Sequence, residues 1–335
     1  MIRSFSSAAL AGVACLALGA SAFAGVQAAG SLLVFPCYDN GRGATTLLTV
    51  TNQNSDPATG TVKVEYVYIN AYNCQETNRT RTLTPNDTLT VLSSLDNPNA
   101  NRGYVYVFAK HPTTGRAIKF DHLIGTSRVV GVGENDDYEL SPFVFKAGAA
   151  LAEAANTDLD SDGIRDLNGS EYEQAPEEVL VPRFVGQQGG GYMGKHLVAD
   201  NASSLVLINL SGGAAFDAIV DFLVYNDNEE VFSAQYQFNC FKKVDLLSIS
   251  NVFADSFLQT TSHNPLESVD GSETGWMRLD GSVAFSSAAQ ILDPALLAML
   301  IEKIDGATCG VLPFAIGEQN NGDLLPLGVL GDNGL

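Results

Sequence analysis

The sequence predicts an all-β protein made of two immunoglobulin-like β-sandwich units, with an acidic calcium-loop linker between them and one or two short helices. Two observations support this class: strand-length apolar segments alternate with turn-forming residues, and a similar succession of segments occurs in each half of the chain. The 335 residues exceed the usual size of one domain, and the apolar fraction of 45% is sufficient for a large core.

The first residues have the pattern of a removable signal peptide. A short basic start precedes an apolar run, which ends in a small-x-small cleavage sequence at residues 22–24, just before Gly25. The run is too short to span a bilayer stably, and no later segment is apolar for long enough. We therefore expect residues 1–24 to be removed and the mature protein to be secreted, periplasmic or at the cell surface. A lipoprotein acylated on Cys15 is the alternative.

Strands are expected throughout the segment that follows Gly30. The predicted strands of the first half are residues 32–35, 46–50, 62–69, 89–92, 104–108 and 117–120. Residues 62–68 alternate Val and Tyr with Lys and Glu. This alternation predicts a strand with one face on a core and the other in water.

The second half repeats this arrangement. Segments 204–209 and 218–226 follow one another across a glycine-rich gap, as segments 46–52 and 62–70 do across a gap of turn residues. The recurrence suggests duplication of one β-rich unit, although β-rich segments also resemble one another by chance.

These patterns divide the chain into a first β-sandwich at 25–140, a linker region at 141–200 and a second β-sandwich at 201–335. A C-terminal helix is predicted at 293–304, because a Pro occupies its first turn and Leu and Ile recur at intervals of three and four. A second short helix is predicted at 142–155, where the segment becomes rich in Ala.

Four cysteines remain once the signal peptide is removed: Cys37, Cys74, Cys240 and Cys309. An even number in an oxidising compartment indicates two disulfides, although sequence alone leaves three possible pairings. We favour Cys37 with Cys74 and Cys240 with Cys309, since each pair then lies within one half. A zinc site is the alternative, but no two of these cysteines have the usual short spacing.

The chain is strongly acidic, with 38 acidic and 18 basic residues and a net charge of −20. A phosphate backbone would be repelled, so nucleic acid is excluded as a partner. The acidity is explained by solubility outside the cell or by binding of multivalent cations.

One motif has the residue pattern of an ion-binding site, an acidic loop that begins at Asp158. Acids stand at its first, third, fifth and ninth positions, and Gly163 at the sixth permits a sharp turn. A hard cation such as Ca²⁺ takes six to eight oxygen ligands, which alternate side chains of a tight loop can supply. The predicted ligands are Asp158, Asp160, Asp162, Asp166, Glu171 and the backbone carbonyl of Ile164.

Over about a dozen residues this loop resembles the calcium loops of EF-hands, dockerins and thrombospondin type 3 repeats. It departs from them at the twelfth position, where Gly169 replaces the bidentate Glu of an EF-hand. Glu171 or Glu173 would complete the site in a longer loop. The alternative is an acidic linker that is only solvated.

No catalytic motif stands out. The four histidines are widely separated, and no Gly-x-Ser-x-Gly sequence is present. We therefore expect a non-enzymatic structural or adhesive protein, stabilised by calcium and disulfides, whose partner is an extracellular protein or glycan. The alternative is a secreted, carbohydrate-directed hydrolase with carboxylates in an inter-domain cleft.

The whole chain resembles uncharacterised exported bacterial β-sandwich proteins. The resemblance lies in Gly-Ser-Leu-Leu-Val-Phe-Pro at residues 30–36 and Leu-Thr-Pro-Asn-Asp at residues 83–87. It implies export and brings no known activity with it.

Overall fold

The computed structural model describes residues 28–41, 43–131, 137–187, 202–211, 217–227, 229–258, 273–282, 284–285, 290–304 and 307–324. The predicted signal peptide at 1–24 lies outside these residues. In the described part the chain is mostly β, so the all-β prediction is confirmed. The helices there are single turns: α1 (Ser93–Asp96), α2 (Leu246–Ile249), α3 (Asp255–Leu258) and a 3₁₀ turn at Asn251–Phe253. None of these described helices approaches the length needed to cross a bilayer.

The first half forms two antiparallel sheets. Sheet A consists, in spatial order, of β4 (Glu76–Leu83), β3 (Val62–Asn70), β6 (Arg102–Lys110), β1 (Leu32–Asp39) and β9 (Phe143–Phe145). Sheet B consists of β5 (Thr88–Leu92), β2 (Thr45–Asn52), β7 (Leu123–Val130) and β8 (Tyr138–Leu140).

The second half forms two antiparallel sheets with the same strand order. Sheet C consists of β15 (Phe241–Asp245), β12 (Ala202–Asn209), β19 (Leu296–Ile304) and β20 (Ala307–Val311). Sheet D consists of β14 (Val231–Phe238), β13 (Ala218–Asn226), β16 (Thr274–Gly281), β11 (Glu178–Val185) and β21 (Phe314–Ile316). Strand by strand, sheet D corresponds to sheet A and sheet C to sheet B. This is the arrangement expected of a duplicated unit.

The four sheets are stacked in the order B, A, C, D around three apolar cores. One core lies between B and A and includes Phe35 and Leu48, and another lies between C and D and includes Leu207 and Phe222. The third core joins the two halves, because alternate residues of sheet A face sheet C. Sheets A and C therefore have apolar side chains on both faces.

Burial on both faces overturns the prediction for residues 62–68. Strand β3 was expected to have one face in water, yet Glu65 is 5% exposed and only Lys63 within this segment is partly exposed. The Glu65 carboxylate accepts hydrogen bonds from Lys110 Nζ at 2.9 Å and from Thr80 Oγ1 at 2.5 Å. A paired charge therefore occupies an inner sheet, where the alternation alone indicated solvent.

Both predicted helices are wrong. Residues 296–304 form strand β19, which is fully buried as far as Glu302 because it lies in the middle of inner sheet C. A continuous apolar strand also places Leu at intervals of three and four, so the spacing did not separate the two structures. Residues 142–155 form strand β9 and turns.

The segment predicted as a linker region, 141–200, contributes to the sheets. Strand β9 joins sheet A and strand β11 joins sheet D. Between them, strand β10 (Arg165–Leu167) pairs antiparallel with β22 (Gly322–Leu324). The remaining described strands are β17 (Ala284–Phe285) and β18 (Gln290–Ile291), which form a two-stranded ribbon. The acidic loop is thus held between strands that belong to both halves.

The disulfide pairing differs from the favoured one, which is wrong. Cys74 is bonded to Cys240, with a Cα–Cα distance of 6.0 Å. Cys37 is a buried free thiol, and Cys309 is an exposed one. Our preference assumed that each half is a separate unit, whereas the packing of sheet A against sheet C brings Cys74 and Cys240 into the same core. The bond covalently joins the two halves.

Candidate metal centre

The acidic loop is positioned by two ends that are tied into the core between the halves. Strand β10 lies within the loop, after its glycine turn, and its Leu167 is fully buried in the same core cluster as Leu324 of β22. Before the loop, the hydroxyl of Thr157 lies 2.9 Å from that of Tyr172, and both residues are buried. The loop therefore starts and ends on fixed side chains.

Three predicted ligands are brought together. Asp158, Asp160 and Glu171 each offer one carboxylate oxygen, and these oxygens all lie within 4.8 Å of one another. Carboxylate oxygens are the ligands that Ca²⁺ prefers. An EF-hand carries a Glu at the twelfth position of its loop, where this chain has Gly169. Glu171, at the fourteenth position, is the later Glu that the sequence predicted in its place.

The backbone at the centre of the loop makes the sharp turn that the presence of Gly163 indicates. Gly163 adopts a φ of +83°, a left-handed conformation that glycine tolerates, and Ser161 adopts a φ of +65°. Asp160 Oδ1 accepts a hydrogen bond from the backbone N–H of Asp162 at 3.3 Å. Asp162 Oδ1 in turn accepts one from the N–H of Ile164 at 2.8 Å. These bonds fold successive acids back onto the loop.

Two other predicted ligands lie near the cluster of three without joining it. Asp162 and Asp166 are outside the group of converging oxygens among the described residues. Burial is the main cause that raises the pKa of Asp166, and the neighbouring charges of Asp162 and Asp160 raise it further. The acids are therefore close enough to repel one another. For the backbone carbonyl of Ile164 the ligand role stays a prediction.

Glu171 is the most deeply buried acid of the site, with 2% exposure. Burial raises the pKa of its carboxyl, while hydrogen bonds from the backbone N–H groups of Leu159 and Asp166 act in the opposite direction. These bonds hold the Glu171 side chain under the loop. Glu173, the other residue considered for this role, accepts a hydrogen bond from the N–H of Lys146 at 2.9 Å instead.

Arg165 connects the loop to sheet A and was not predicted. It is 3% exposed, its Nη2 lies 3.4 Å from Asp158 Oδ2, and its guanidinium stands 5.0 Å from the centroid of the Phe108 ring. The guanidinium offsets part of the acidic charge and also packs on an aromatic face. Its only sequence signal is a position between Ile164 and Asp166, which does not distinguish a buried arginine from an exposed one.

The arrangement offers converging oxygen ligands of the type that bind a hard cation. Acids that accept bonds from their own loop are fixed in place, and the converging oxygens of Asp158, Asp160 and Glu171 provide a negative site of ionic size. No family model matches the chain, and neither the curated proteins nor the solved structures contain a match to it.

Proposed function

We propose that the protein is a non-enzymatic structural or adhesive protein that works outside the cell and is stiffened by calcium and a disulfide. The observation that carries the proposal is the apolar core between sheets A and C, which joins the halves into one body. The Cys74–Cys240 bond and the acidic loop both lie at this junction. A junction of this kind resists bending, which is useful in a protein that bears load or presents a surface.

Calcium is proposed to bind at Asp158, Asp160 and Glu171 and to stabilise the junction. The raised pKa values of Asp166 and Glu171 reflect burial together with repulsion between neighbouring acids, which a divalent cation would offset. Millimolar calcium is usual outside cells, so a site of modest affinity would be filled there.

Each half is proposed to be an immunoglobulin-like sandwich derived from a common unit. Sheets B and A enclose one core, and sheets C and D enclose another. The shared strand order supports a duplicated unit. The partner of this assembly is proposed to be an extracellular protein.

The hydrolase alternative required carboxylates in a cleft between the halves. Within the described residues, apolar side chains such as Phe108, Met299 and Ile301 fill this junction. No observation therefore favours a catalytic cleft at that place.

The experiment that tests the proposal is calcium titration calorimetry on the mature protein. We expect one binding event in the parent, its loss in Asp160→Ala and a marked weakening in Glu171→Gln. Asp227→Ala is the control, because Asp227 is an exposed acid in a turn of the second half. Equal calcium heats in the parent and in Asp160→Ala would remove calcium from the proposal.

Calcium should also raise the thermal stability of the parent. At a free concentration of 100 times Kd, binding to the folded state alone adds about 2.7 kcal/mol to the free energy of unfolding. A parent whose melting temperature is the same in calcium and in chelator, despite calcium binding, would contradict the stiffening role.

A further inference from the structure

The outer face of sheet D combines charged and apolar side chains in rows that cross the strands. One row contains acids that are direct cross-strand neighbours: Asp221 on β13, Asp280 on β16 and Glu178 on β11. The adjacent row contains Leu223 on β13 and Arg278 on β16. These side chains point away from the core, because their strand neighbours such as Phe222 and Leu279 point into it.

A groove of about 670 Å³ follows these rows. It is lined by all three acids, by Leu223 and by Arg278. A groove with both charged and apolar walls is a feature that a ligand can recognise.

The charge in the groove is only partly balanced. Arg278 donates to Glu178 Oε2 from its Nε at 3.0 Å, and Gln235 Nε2 donates to Asp221 Oδ1 at 2.6 Å. Among the described residues, Asp280 has neither a hydrogen-bond donor nor a salt-bridge partner. Burial raises the pKa of Asp280 to about 6, and the nearby charges of Asp293, Glu178 and Asp221 contribute to the rise. The groove therefore contains three carboxylates and one guanidinium, which is paired with Glu178.

Exposed apolar side chains are concentrated on the same face. Leu223 is 43% exposed and Val231 is 53% exposed, while Phe314 and Ile316 on edge strand β21 are 64% and 41% exposed. By register, Ile316 lies beside Glu178, at the end of the acidic row. Apolar groups thus flank the acids.

The other outer face, on sheet B, is different. Its threonine hydroxyls are paired with one another across strands, Thr49 with Thr90 and Thr51 with Thr88, each at 2.9 Å. Cross-strand threonine pairs of this kind stabilise a sheet by hydrogen bonding. Sheet B also has an exposed apolar residue, Leu92, in one row with Arg128 and Glu139, but that row contains one acid where the row on sheet D contains three.

We propose that the outer face of sheet D is a docking surface for a polypeptide segment of an extracellular partner, in which basic residues alternate with apolar ones. Basic side chains complement the row of Asp221, Asp280 and Glu178, and apolar side chains cover Leu223 and Phe314. This inference rests on the proposed adhesive function and names the partner's chemistry.

Charge complementarity selects this occupant over two others. A second copy of the chain carries a net charge of −20 and would bring more acid to an acidic surface. A neutral glycan offers no positive charge to Asp280. The nearby rings of Tyr225 and Trp276 are stacked on each other with centroids 4.0 Å apart, so each has one face already covered.

The only tryptophan of the chain, Trp276, reports on this surface by fluorescence. The test titrates the calcium-loaded protein with a capped octapeptide that alternates Lys and Leu, at low salt. We expect a saturable change in Trp276 emission that weakens as salt is added. Octapeptides that alternate Glu with Leu, or Lys with Ser, are expected to bind at least about tenfold more weakly.

The matched variants keep side-chain size and remove charge. In Asp221→Asn combined with Asp280→Asn, affinity for the Lys/Leu peptide should fall about tenfold. Glu139→Gln on sheet B, which removes an exposed acid on the opposite face, should leave affinity unchanged. Equal affinity of the parent and the double Asn variant, or no saturable signal by fluorescence and by calorimetry, would overturn the docking surface.

Three further outcomes also decide the matter. A neutral oligosaccharide that gives the saturable signal when the Lys/Leu peptide does not would assign the groove to a glycan and refute the proposal. Calcium binding with no peptide binding would refute the docking surface alone. Peptide binding in a protein indifferent to calcium would refute only the calcium role described above.

Discussion

Removing the bond between Cys74 and Cys240 tests the connection of the two halves most directly. The perturbation is the double change Cys74→Ser and Cys240→Ser. Both cysteines are buried, at 4% and 1% exposure, in the core between sheets A and C. We expect the folded structure to persist, because the apolar packing of that core does not depend on the bond.

The magnitude follows from the length of chain that the bond closes. A sequence separation of 166 residues gives about 5 kcal/mol of lost chain entropy in the unfolded state, by the relation between loop length and closure entropy. Disulfides commonly deliver less than this relation gives, so the expected loss of stability in the double Ser variant is about 3–5 kcal/mol.

The assay is equilibrium unfolding in guanidinium chloride, followed by Trp276 fluorescence, with and without reductant. The oxidised parent should unfold at a higher midpoint than the double Ser variant, and reductant should abolish the difference. Cys309→Ser is the control, because Cys309 is an exposed free thiol and its loss should change little.

Two results would refute the reasoning. The first is an oxidised parent no more stable than the double Ser variant. The second is a non-reducing peptide map that joins Cys37 to Cys74 and Cys240 to Cys309. In the expected map Cys309 is alkylated in the native protein, while Cys37 reacts only after unfolding.

Four further substitutions test other features of the structure. Tyr104→Phe should raise the free energy of unfolding by about 1 kcal/mol, because the Tyr104 hydroxyl is buried without a hydrogen-bond partner among the described residues. Tyr172→Phe removes a hydrogen bond to Thr157 and should lower the free energy of unfolding. Equal urea midpoints for the two variants would contradict this reasoning. Asp280→Asn should stabilise the protein at pH 8 by up to about 1 kcal/mol after allowance for solvent screening. The pKa of Asp280 in the folded protein is raised to about 6, so its carboxyl favours the folded state at low pH, and this contribution is lost as the pH rises from about 4 through 6. The stability advantage of the Asn variant should therefore shrink towards pH 4. An advantage that stays constant down to pH 4 would refute the reasoning. Arg165→Leu should lower the free energy of unfolding by about 3 kcal/mol in chelator, because Asp158 and its acidic neighbours then lose the buried guanidinium of Arg165. An unchanged unfolding midpoint would show that the contacts of Arg165 with Phe108 and Asp158 are not stabilising.

The sequence patterns predicted several strands of each half but not the number of layers. Turn residues and apolar runs were sufficient to locate β1, β2, β3, β5 and β6. A polar residue within a strand indicates solvent only if it has no partner in the fold. Glu65 has partners on both neighbouring strands, so the burial of β3 followed from tertiary contacts that no local pattern contains.

The C-terminal strand illustrates the same limit. A run such as that of β19 is compatible with a helix or with a strand buried on both faces, and only the packing of sheet C between A and D decides the outcome. Residues 117–120, predicted as a strand, make only isolated bridges at Ala117 and Ile118.

The candidate metal site was predictable where its chemistry is local. Asp158, Asp160 and Gly163 follow from the spacing within the loop, and Glu171 follows from the missing acid at the twelfth position. Arg165 was not predictable, because its role depends on Phe108, which lies in another sheet more than fifty residues earlier in the chain.

The burial of sheet A on both sides has a consequence for the order in which the molecule can be assembled. A nascent chain that ends near residue 140 would leave Tyr104, Tyr106 and Phe108 uncovered, because sheet C, which covers them, has not yet been made. The first half is therefore an aggregation-prone folding intermediate until residue 301 or beyond has emerged. The 161 residues between positions 140 and 301 are nearly half of the 335-residue chain, so that surface stays uncovered for nearly half of the time that synthesis takes.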